Sequence, residues 1–170
     1  TIVRKWVLNE EIPTYLACVA AANYKTVHQS FNGLNGSIPV ELVGVATDTN
    51  NMKNSFINLN GAFNAYEEGY GPYLWNKVGF SLVPFSSGAM EHATNIAYPR
   101  ATANGTLAYE TLMAHEFSHH WWGDLVTCET AEDMWINEGM AVYSEHLFLE
   151  KVYNYATSLA EIKTNHKSVL

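Results

Sequence analysis

The amino-acid sequence predicts an α+β protein in which a strand-rich first part precedes a helix-rich second part. Three observations predict this order. Before residue 47, stretches rich in Val, Ile, Leu and Tyr alternate with turn residues such as Asn32-Gly33, which is typical of strands. From Ser55 to Glu68, apolar residues recur at helical intervals. Two further helical patterns occupy much of the chain after residue 105.

The individual elements follow from apolar periodicity and turn residues. We predict strands over residues 3–8, 14–22, 38–46 and 78–85, and helices over residues 55–68, 106–122 and about 130–151. Gly71-Pro72 and Gly123 stop the first two helices, because such residues are favoured just past a helix end. Thr130 begins a segment that resembles a capping box. The polar residues 47–54 mark a predicted boundary, which divides the chain into domains at residues 1–47 and 48–170.

Composition excludes several classes of function. The 170 residues are 48% hydrophobic and carry a net charge of -8, with only nine Lys and Arg spread along the chain. We expect no nucleic-acid partner, because binding one requires cations that neutralise phosphates. Two cysteines are too few for a disulfide scaffold. No apolar run is long enough to predict a membrane span.

The ends of the chain predict a longer protein. Thr1 is not an initiator Met, and the first residues do not have the pattern of a signal peptide. The last residues carry no stop signal, so we expect a piece of a larger chain. The sequence leaves localisation open, with a periplasmic or secreted location favoured over a cytoplasmic one.

An H-E-x-x-H motif lies on the second predicted helix, from His115 to His119. Residues four apart lie on one helical face, so both imidazoles can reach one metal ion. Zinc binds neutral imidazole, and a catalytic zinc site uses three protein ligands and a water molecule. Glu116 lies about 100° round the helix from His115. From there it can flank the metal and take a proton from the water. Histidines in a helix can also be ordinary hydrogen-bonded polar groups, so the motif needs a third ligand.

Glu138 supplies that third ligand in our interpretation. It lies near the start of the third predicted helix, after eighteen residues that follow His119. Two helices joined by a short connection can bring its carboxylate to both imidazoles. Glu145, seven residues later, lies on the same helical face. It either accepts a hydrogen bond from the far nitrogen of a ligand histidine or lies in solvent. The sequence therefore predicts a Zn2+ site formed by His115, His119 and Glu138.

These motifs resemble the zinc aminopeptidases of the alanyl aminopeptidase family, a gluzincin family that also contains leukotriene epoxide hydrolases. The resemblance rests on the H-E-F-S-H motif, Trp121, Gly123, residues 125–127, Trp135 and residues 137–139. A second motif, Gly88-Ala89-Met90-Glu91-His92, resembles the family's Gly-x-Met-Glu-Asn exopeptidase motif. The resemblance spans most of the chain. It implies that residues 1–47 end a β-rich N-terminal domain and that residues 48–170 begin a thermolysin-like catalytic domain.

The resemblance implies a zinc-dependent aminopeptidase that acts on peptides with a free N-terminus. Glu91 would bind the α-ammonium group of the substrate. Gly88, Ala89 and Met90 would contact the peptide, which would bind as an added strand. Glu116 would act as the catalytic base, taking a proton from water and delivering it to the leaving amine.

Two departures from the family pattern leave alternatives open. His92 replaces the family's Asn, which affects the detailed contact with the substrate. The tyrosine that stabilises the transition state in the family is expected beyond Leu170, with the remainder of the catalytic domain. We therefore expect weak or no turnover from these residues alone. The alternatives are an endopeptidase or epoxide hydrolase on the same frame, or a zinc-binding or peptide-binding module without turnover.

Overall fold

The computed structural model describes residue 3 and residues 5–169 of the chain. Four strands and five α-helices confirm the predicted α+β class. The strands are β1 (Tyr24–Gly33), β2 (Gly36–Val45), β3 (Val78–Val83) and β4 (Ile96–Pro99). The helices are α1 (Thr49–Ser55), α2 (Leu59–Tyr70), α3 (Glu110–Ser118), α4 (Trp135–Val152) and α5 (Tyr155–Val169). Short 3-10 helices cover Thr14–Leu16 and Ala131–Asp133.

One four-stranded sheet has the order β1-β2-β3-β4. Strands β1 and β2 form an antiparallel hairpin in which Gly33 is the partner of Gly36, and β2–β3 and β3–β4 are parallel pairs. Every residue of β3 and β4 is buried, as expected for parallel strands covered on both faces. The interior of the protein therefore lies at this end of the sheet.

Aromatic side chains join the helices into one core. Phe63 of α2 stacks on Phe117 of α3 with ring centroids 6.3 Å apart. Tyr66 of α2 lies 5.8 Å from the same ring, and its hydroxyl donates to the Ala114 carbonyl at 2.9 Å. Both α2 and α3 also contact α4. This packing fixes which face of α3 points away from the core, and that face carries the H-E-x-x-H motif.

The two strands predicted before residue 23 are wrong. Residues 3 and 5–8 belong to no strand, and Arg4 lies outside the described residues. Residues 14–22 contain a 3-10 helix followed by irregular extended backbone. Trp6 is 80% exposed and Val19 is 93% exposed, and the described residues of these two stretches pair with no strand of the sheet. Their apolar side chains therefore do not mark buried strands.

Other boundaries shift for local reasons. The predicted helix over residues 55–68 is replaced by α1 and α2, with a break at residues 56–58. The predicted helix over residues 106–122 is shorter, because regular α3 begins only at Glu110 and ends at Ser118. Strands β1 and β4 and helix α5 were not predicted. Of the helices in the described residues, none is long and apolar enough to cross a membrane.

The sheet continues across the predicted domain boundary at residues 47–48. Val40 in β2 is the register partner of Val78 in β3. Helix α1 follows the boundary and packs back on β2. The division into residues 1–47 and 48–170 remains a prediction.

Candidate metal centre

Helix α3 carries both histidines of the motif. His119 is the residue that caps the helix, and its φ of -59° and ψ of -23° keep the helical geometry. The four-residue offset therefore places both imidazoles on one face, with ring centroids 5.0 Å apart. Ala114 and Phe117 on the opposite side of the helix are completely buried. The position of the histidines is thus set by the core.

Helix α4 brings Glu138 to these imidazoles. The carboxylate Oε2 of Glu138 lies 3.3 Å from Nε2 of His115 and 3.8 Å from Nε2 of His119. The donor atoms of the three residues all lie within 4.8 Å of one another. Three ligand atoms of this type, in a cluster of this size, match the ligand set of a catalytic zinc site.

The remaining ring nitrogens are held by other groups. Nδ1 of His115 donates to Oε1 of Glu145 at 2.7 Å, and Nδ1 of His119 donates to the Trp122 carbonyl at 2.8 Å. A proton on each Nδ1 leaves each Nε2 with a free lone pair for a cation. Glu145 thus lies against His115, and its side chain is largely buried.

Gly123 and Asn137 join the end of α3 to the start of α4. Gly123 has a φ of +135°, and a Cβ there would lie 3.1 Å from Nδ1 of His119, so glycine both ends the helix and admits the ring. The buried Asn137 side chain accepts a hydrogen bond from the Cys128 amide at 3.0 Å. Asn137 directly precedes Glu138, and this bond helps to fix where α4 begins.

Negative charge is concentrated around His115. Burial alone would lower the pKa of this imidazole, but hydrogen bonds to Glu138 and Glu145 and the charge of Glu116 raise it to about 10. The hydrogen bond from His115 lowers the pKa of Glu138, with burial opposing it. Such surroundings favour a cation, which can be a proton or a metal ion.

Glu116 lies beside the ligands without being one of them. Its side chain is 6% exposed, and burial raises its pKa to about 7. The charge of His115 lowers this pKa, and the charge of Glu91 raises it. Carboxylate oxygens of Glu116 and Glu91 and a ring nitrogen of His119 lie within 4.8 Å of one another. A carboxylate that titrates near neutral pH is suited to proton transfer.

A pocket of about 450 Å³ opens over these residues. Eight of the nine site residues predicted from the sequence line this pocket, and the ninth, Glu145, does not. The lining residues are Tyr15, Gly88, Ala89, Met90, Glu91, His115, Glu116, His119, Met134 and Glu138.

The amide and carbonyl of Met90 both bond to Ala97, at 3.0 and 2.9 Å. Among the described residues, Gly88 and Ala89 have no backbone hydrogen bond, so their peptide groups are available to a ligand.

Sequence reasoning missed Tyr15 and Met134 as lining residues. Neither belongs to a recognisable motif, and Tyr15 lies in a segment for which a strand was predicted. Met134 lies at the start of α4, so its proximity to Glu138 could have suggested it. For Tyr15 the sequence contains no signal of this kind.

His120 points into the core behind the motif. Its Nδ1 lies 2.7 Å from the Tyr73 hydroxyl, and its Nε2 lies 3.8 Å from a carboxylate oxygen of Asp124. Burial lowers the pKa of His120 to about 3 and raises that of Asp124 to about 9. Burial thus disfavours the charged form of each group. His120 thus lies in the core and is not among the residues that line the pocket.

Comparison with known proteins finds one matching family and several similar proteins. The profile of a family described as "Peptidase family M1 domain" matches residues 55–169. Leukotriene A-4 hydrolase of Xenopus laevis is 36% identical over 85 residues, which are 49% of this chain and 14% of that protein. Aminopeptidase N of Canis lupus familiaris is 38% identical over 86 residues, 45% of this chain and 9% of that protein. The chain thus spans a small part of the curated relatives it matches.

Solved structures share the fold. The crystal structure of an M1 zinc metallopeptidase from Deinococcus radiodurans has a TM-score of 0.69 at 24% identity. That match covers 86% of this chain and 32% of the other. Legionella pneumophila aminopeptidase A, in complex with aspartic acid, has a TM-score of 0.68 at 19% identity over 78% of this chain and 17% of the other. At this level of identity the likeness establishes the fold alone.

Proposed function

This chain belongs to peptidase family M1, and we propose that it acts as a zinc-dependent aminopeptidase that removes N-terminal residues from peptides. One observation carries the proposal. His115, His119 and Glu138 converge within 4.8 Å, and Glu91 and Glu116 lie in the same pocket. A metal centre, a base and a carboxylate for a free amine are the three elements that such a reaction requires.

The zinc ligands in this proposal are Nε2 of His115, Nε2 of His119 and a carboxylate oxygen of Glu138. Hydrogen bonds on both Nδ1 atoms support it, because they leave the Nε2 lone pairs free for a metal. A bound zinc ion would polarise the scissile carbonyl and lower the pKa of a water molecule toward neutrality.

The protein's own carboxylates have separate tasks. Glu116 takes the proton of the attacking water and returns it to the leaving amine, and its buried position beside the proposed ligands supports this role. Glu91 binds the α-ammonium group of the substrate, so that cleavage falls after the first residue. Like charges in a buried site are unfavourable, and a bound ammonium group offsets the repulsion between Glu91 and Glu116.

A second candidate is a hydrolase on the same frame that does not require a free N-terminus. Similarity to proteins named leukotriene A-4 hydrolase, or a homolog of it, supports this second candidate. Glu91 distinguishes the candidates, because an endopeptidase or an epoxide hydrolase has no need of an ammonium partner. A zinc-binding module without turnover is the third candidate, and the intact Glu116 argues against it.

The test uses the full-length protein that contains this chain, loaded with zinc. Hydrolysis of L-leucine p-nitroanilide and of its N-acetyl form is measured for the wild type and for Glu116→Gln. We expect rapid cleavage of the free amine form alone, and loss of cleavage in Glu116→Gln with zinc content unchanged. Loss of one catalytic proton-transfer group should lower kcat by about 100-fold or more.

Three results would count against the proposal in different ways. Equal rates on the free and acetylated substrates would favour an endopeptidase. Cleavage that survives in Glu116→Gln would remove Glu116 from the mechanism. Zinc binding with no hydrolysis of either substrate by the wild type would leave a binding module.

A further inference from the structure

Tyr15 reaches the pocket from a segment far from every motif residue. It lies in the 3-10 helix Thr14–Leu16, which precedes the part of the chain that matches the family. Tyr15 lines the same pocket as Glu91, Glu116 and Glu138, and the residue is 42% exposed. A half-exposed aromatic ring at a pocket can lose further apolar surface when a ligand binds.

Several contacts hold Tyr15 in this position. The neighbouring Leu16 is 1% exposed, and its carbonyl accepts the Ala93 amide at 3.2 Å. The Tyr15 hydroxyl accepts a weak hydrogen bond from Nδ2 of Asn137 at 3.5 Å. It also interacts with the side chain of Thr127. Tyr15 is thereby tied to the segment after Glu91, to the loop after α3 and to the start of α4.

The residues that line the pocket are of two kinds, ionisable residues and uncharged, mostly apolar residues. In the proposed reaction, Glu91, Glu116 and Glu138 are engaged by the ammonium group, the water proton and the metal. Apart from these carboxylates and the imidazoles of His115 and His119, the described lining consists of Tyr15, Gly88, Ala89, Met90 and Met134. No Lys or Arg is among these lining residues, so these residues offer carbon, sulfur and an aromatic ring rather than charge.

We propose that Tyr15 determines specificity, its ring forming a wall of the subsite that receives the side chain of the substrate's first residue. The subsite accepts aromatic and long aliphatic side chains, because Tyr15 and the two methionines present apolar, polarisable surfaces. This inference rests on the proposed aminopeptidase function, since Glu91 must anchor the N-terminus beside Tyr15.

The test measures ligand binding in the zinc-loaded protein with Glu116→Gln, which prevents turnover. Dissociation constants of L-phenylalaninamide and L-alaninamide are determined by calorimetry. Tyr15→Ala should weaken L-phenylalaninamide by about tenfold, the size of a lost apolar contact in a specificity pocket, and leave L-alaninamide nearly unchanged. Tyr15→Phe should retain both affinities, because it keeps the ring.

Two further variants separate a specificity role from a structural one. Tyr155→Ala removes a tyrosine that is 62% exposed on α5 and should change neither affinity. Tyr15→Trp enlarges the wall and should weaken L-phenylalaninamide more than L-alaninamide, which tests the inference even where Tyr15→Ala does not fold. Zinc content is measured for each variant and should stay constant.

The outcomes distinguish the inference from the function on which it rests. Failure of the Glu116→Gln protein to bind either amide would overturn the proposed amine-binding function. Binding of both amides with equal losses, or with no loss, in Tyr15→Ala and Tyr15→Trp would overturn only the role of Tyr15.

Discussion

At the scale of single residues, the metal centre depends on how His115 is oriented. Its Nδ1 donates to Glu145 at 2.7 Å, and both side chains are largely buried. A carboxylate in this position fixes the ring and increases the basicity of the ligand nitrogen. In the proposed metal centre, Glu145 would therefore act on the metal through His115 rather than by direct contact.

We expect Glu145→Gln to weaken zinc binding about tenfold, because the amide loses the charge that supports the imidazole. Competition with a chromogenic chelator measures the change. Glu150→Gln is the matched control, since Glu150 lies on the same helix and is exposed. Equal zinc affinity in the two variants would show that Glu145 contributes nothing through His115.

The same residues show how far the sequence predicts the site. Helical spacing alone places His115 and His119 on one face, and the structure brings Glu138 to them as the motif predicts. Tyr15 could not be predicted, because its approach depends on the path of an irregular segment and not on a periodic pattern. Local spacing thus reports contacts within and between adjacent helices, whereas distant chain segments leave no such signal.

At the scale of elements, α2 and α4 approach closely at one glycine. A Cβ at Gly61 would lie 2.5 Å from Cγ2 of Val152. Real Cβ atoms essentially never approach so closely, so the Val152 side chain or one of the two helices would have to shift. Gly61 therefore sets the distance between α2 and the helix that carries Glu138.

We expect Gly61→Ala to destabilise the protein by about 1–3 kcal/mol through overpacking. Val152→Ala in the same chain should remove the clash, so that the double variant is more stable than Gly61→Ala alone. Urea unfolding of the wild type, both single variants and the double variant measures the coupling. Additive changes in the free energy of unfolding would refute the close contact. Gly139→Ala, whose Cβ meets no neighbour within 4 Å, is the control.

The elements also differ in how well the sequence predicts them. Strand β3 was predicted because most of its residues are apolar, as in a fully buried strand. Strand β1 was not, since most of its residues between Lys25 and Ser30 are polar and exposed. Its pairing with β2 decides its structure, and a partner strand is not visible in local composition.

At the scale of the whole molecule, the proposed metal ligands come from two helices. His115 and His119 belong to α3, and Glu138 belongs to α4. A ligand that binds only the folded state raises stability by RT ln(1 + [L]/Kd). Metal binding should therefore stabilise the protein as well as serve its proposed reaction.

We expect zinc at 100 times its dissociation constant to add about 2.7 kcal/mol to the free energy of unfolding. Thermal melting with zinc and with a chelator measures this as a shift in Tm. His119→Ala should abolish the shift, whereas His28→Ala should leave it, because His28 is exposed on β1. A shift that survives in His119→Ala would place the stabilising metal elsewhere.

The contacts of Tyr15 have a consequence for the order of folding. His115 and Glu138 are 23 residues apart, whereas Tyr15 and Asn137 are 122 apart. Closing the longer loop costs about 1.5 kcal/mol more chain entropy. We expect the metal ligands to assemble while the N-terminal segment is still undocked. A folding chain would then bind its metal before Tyr15 reaches the pocket.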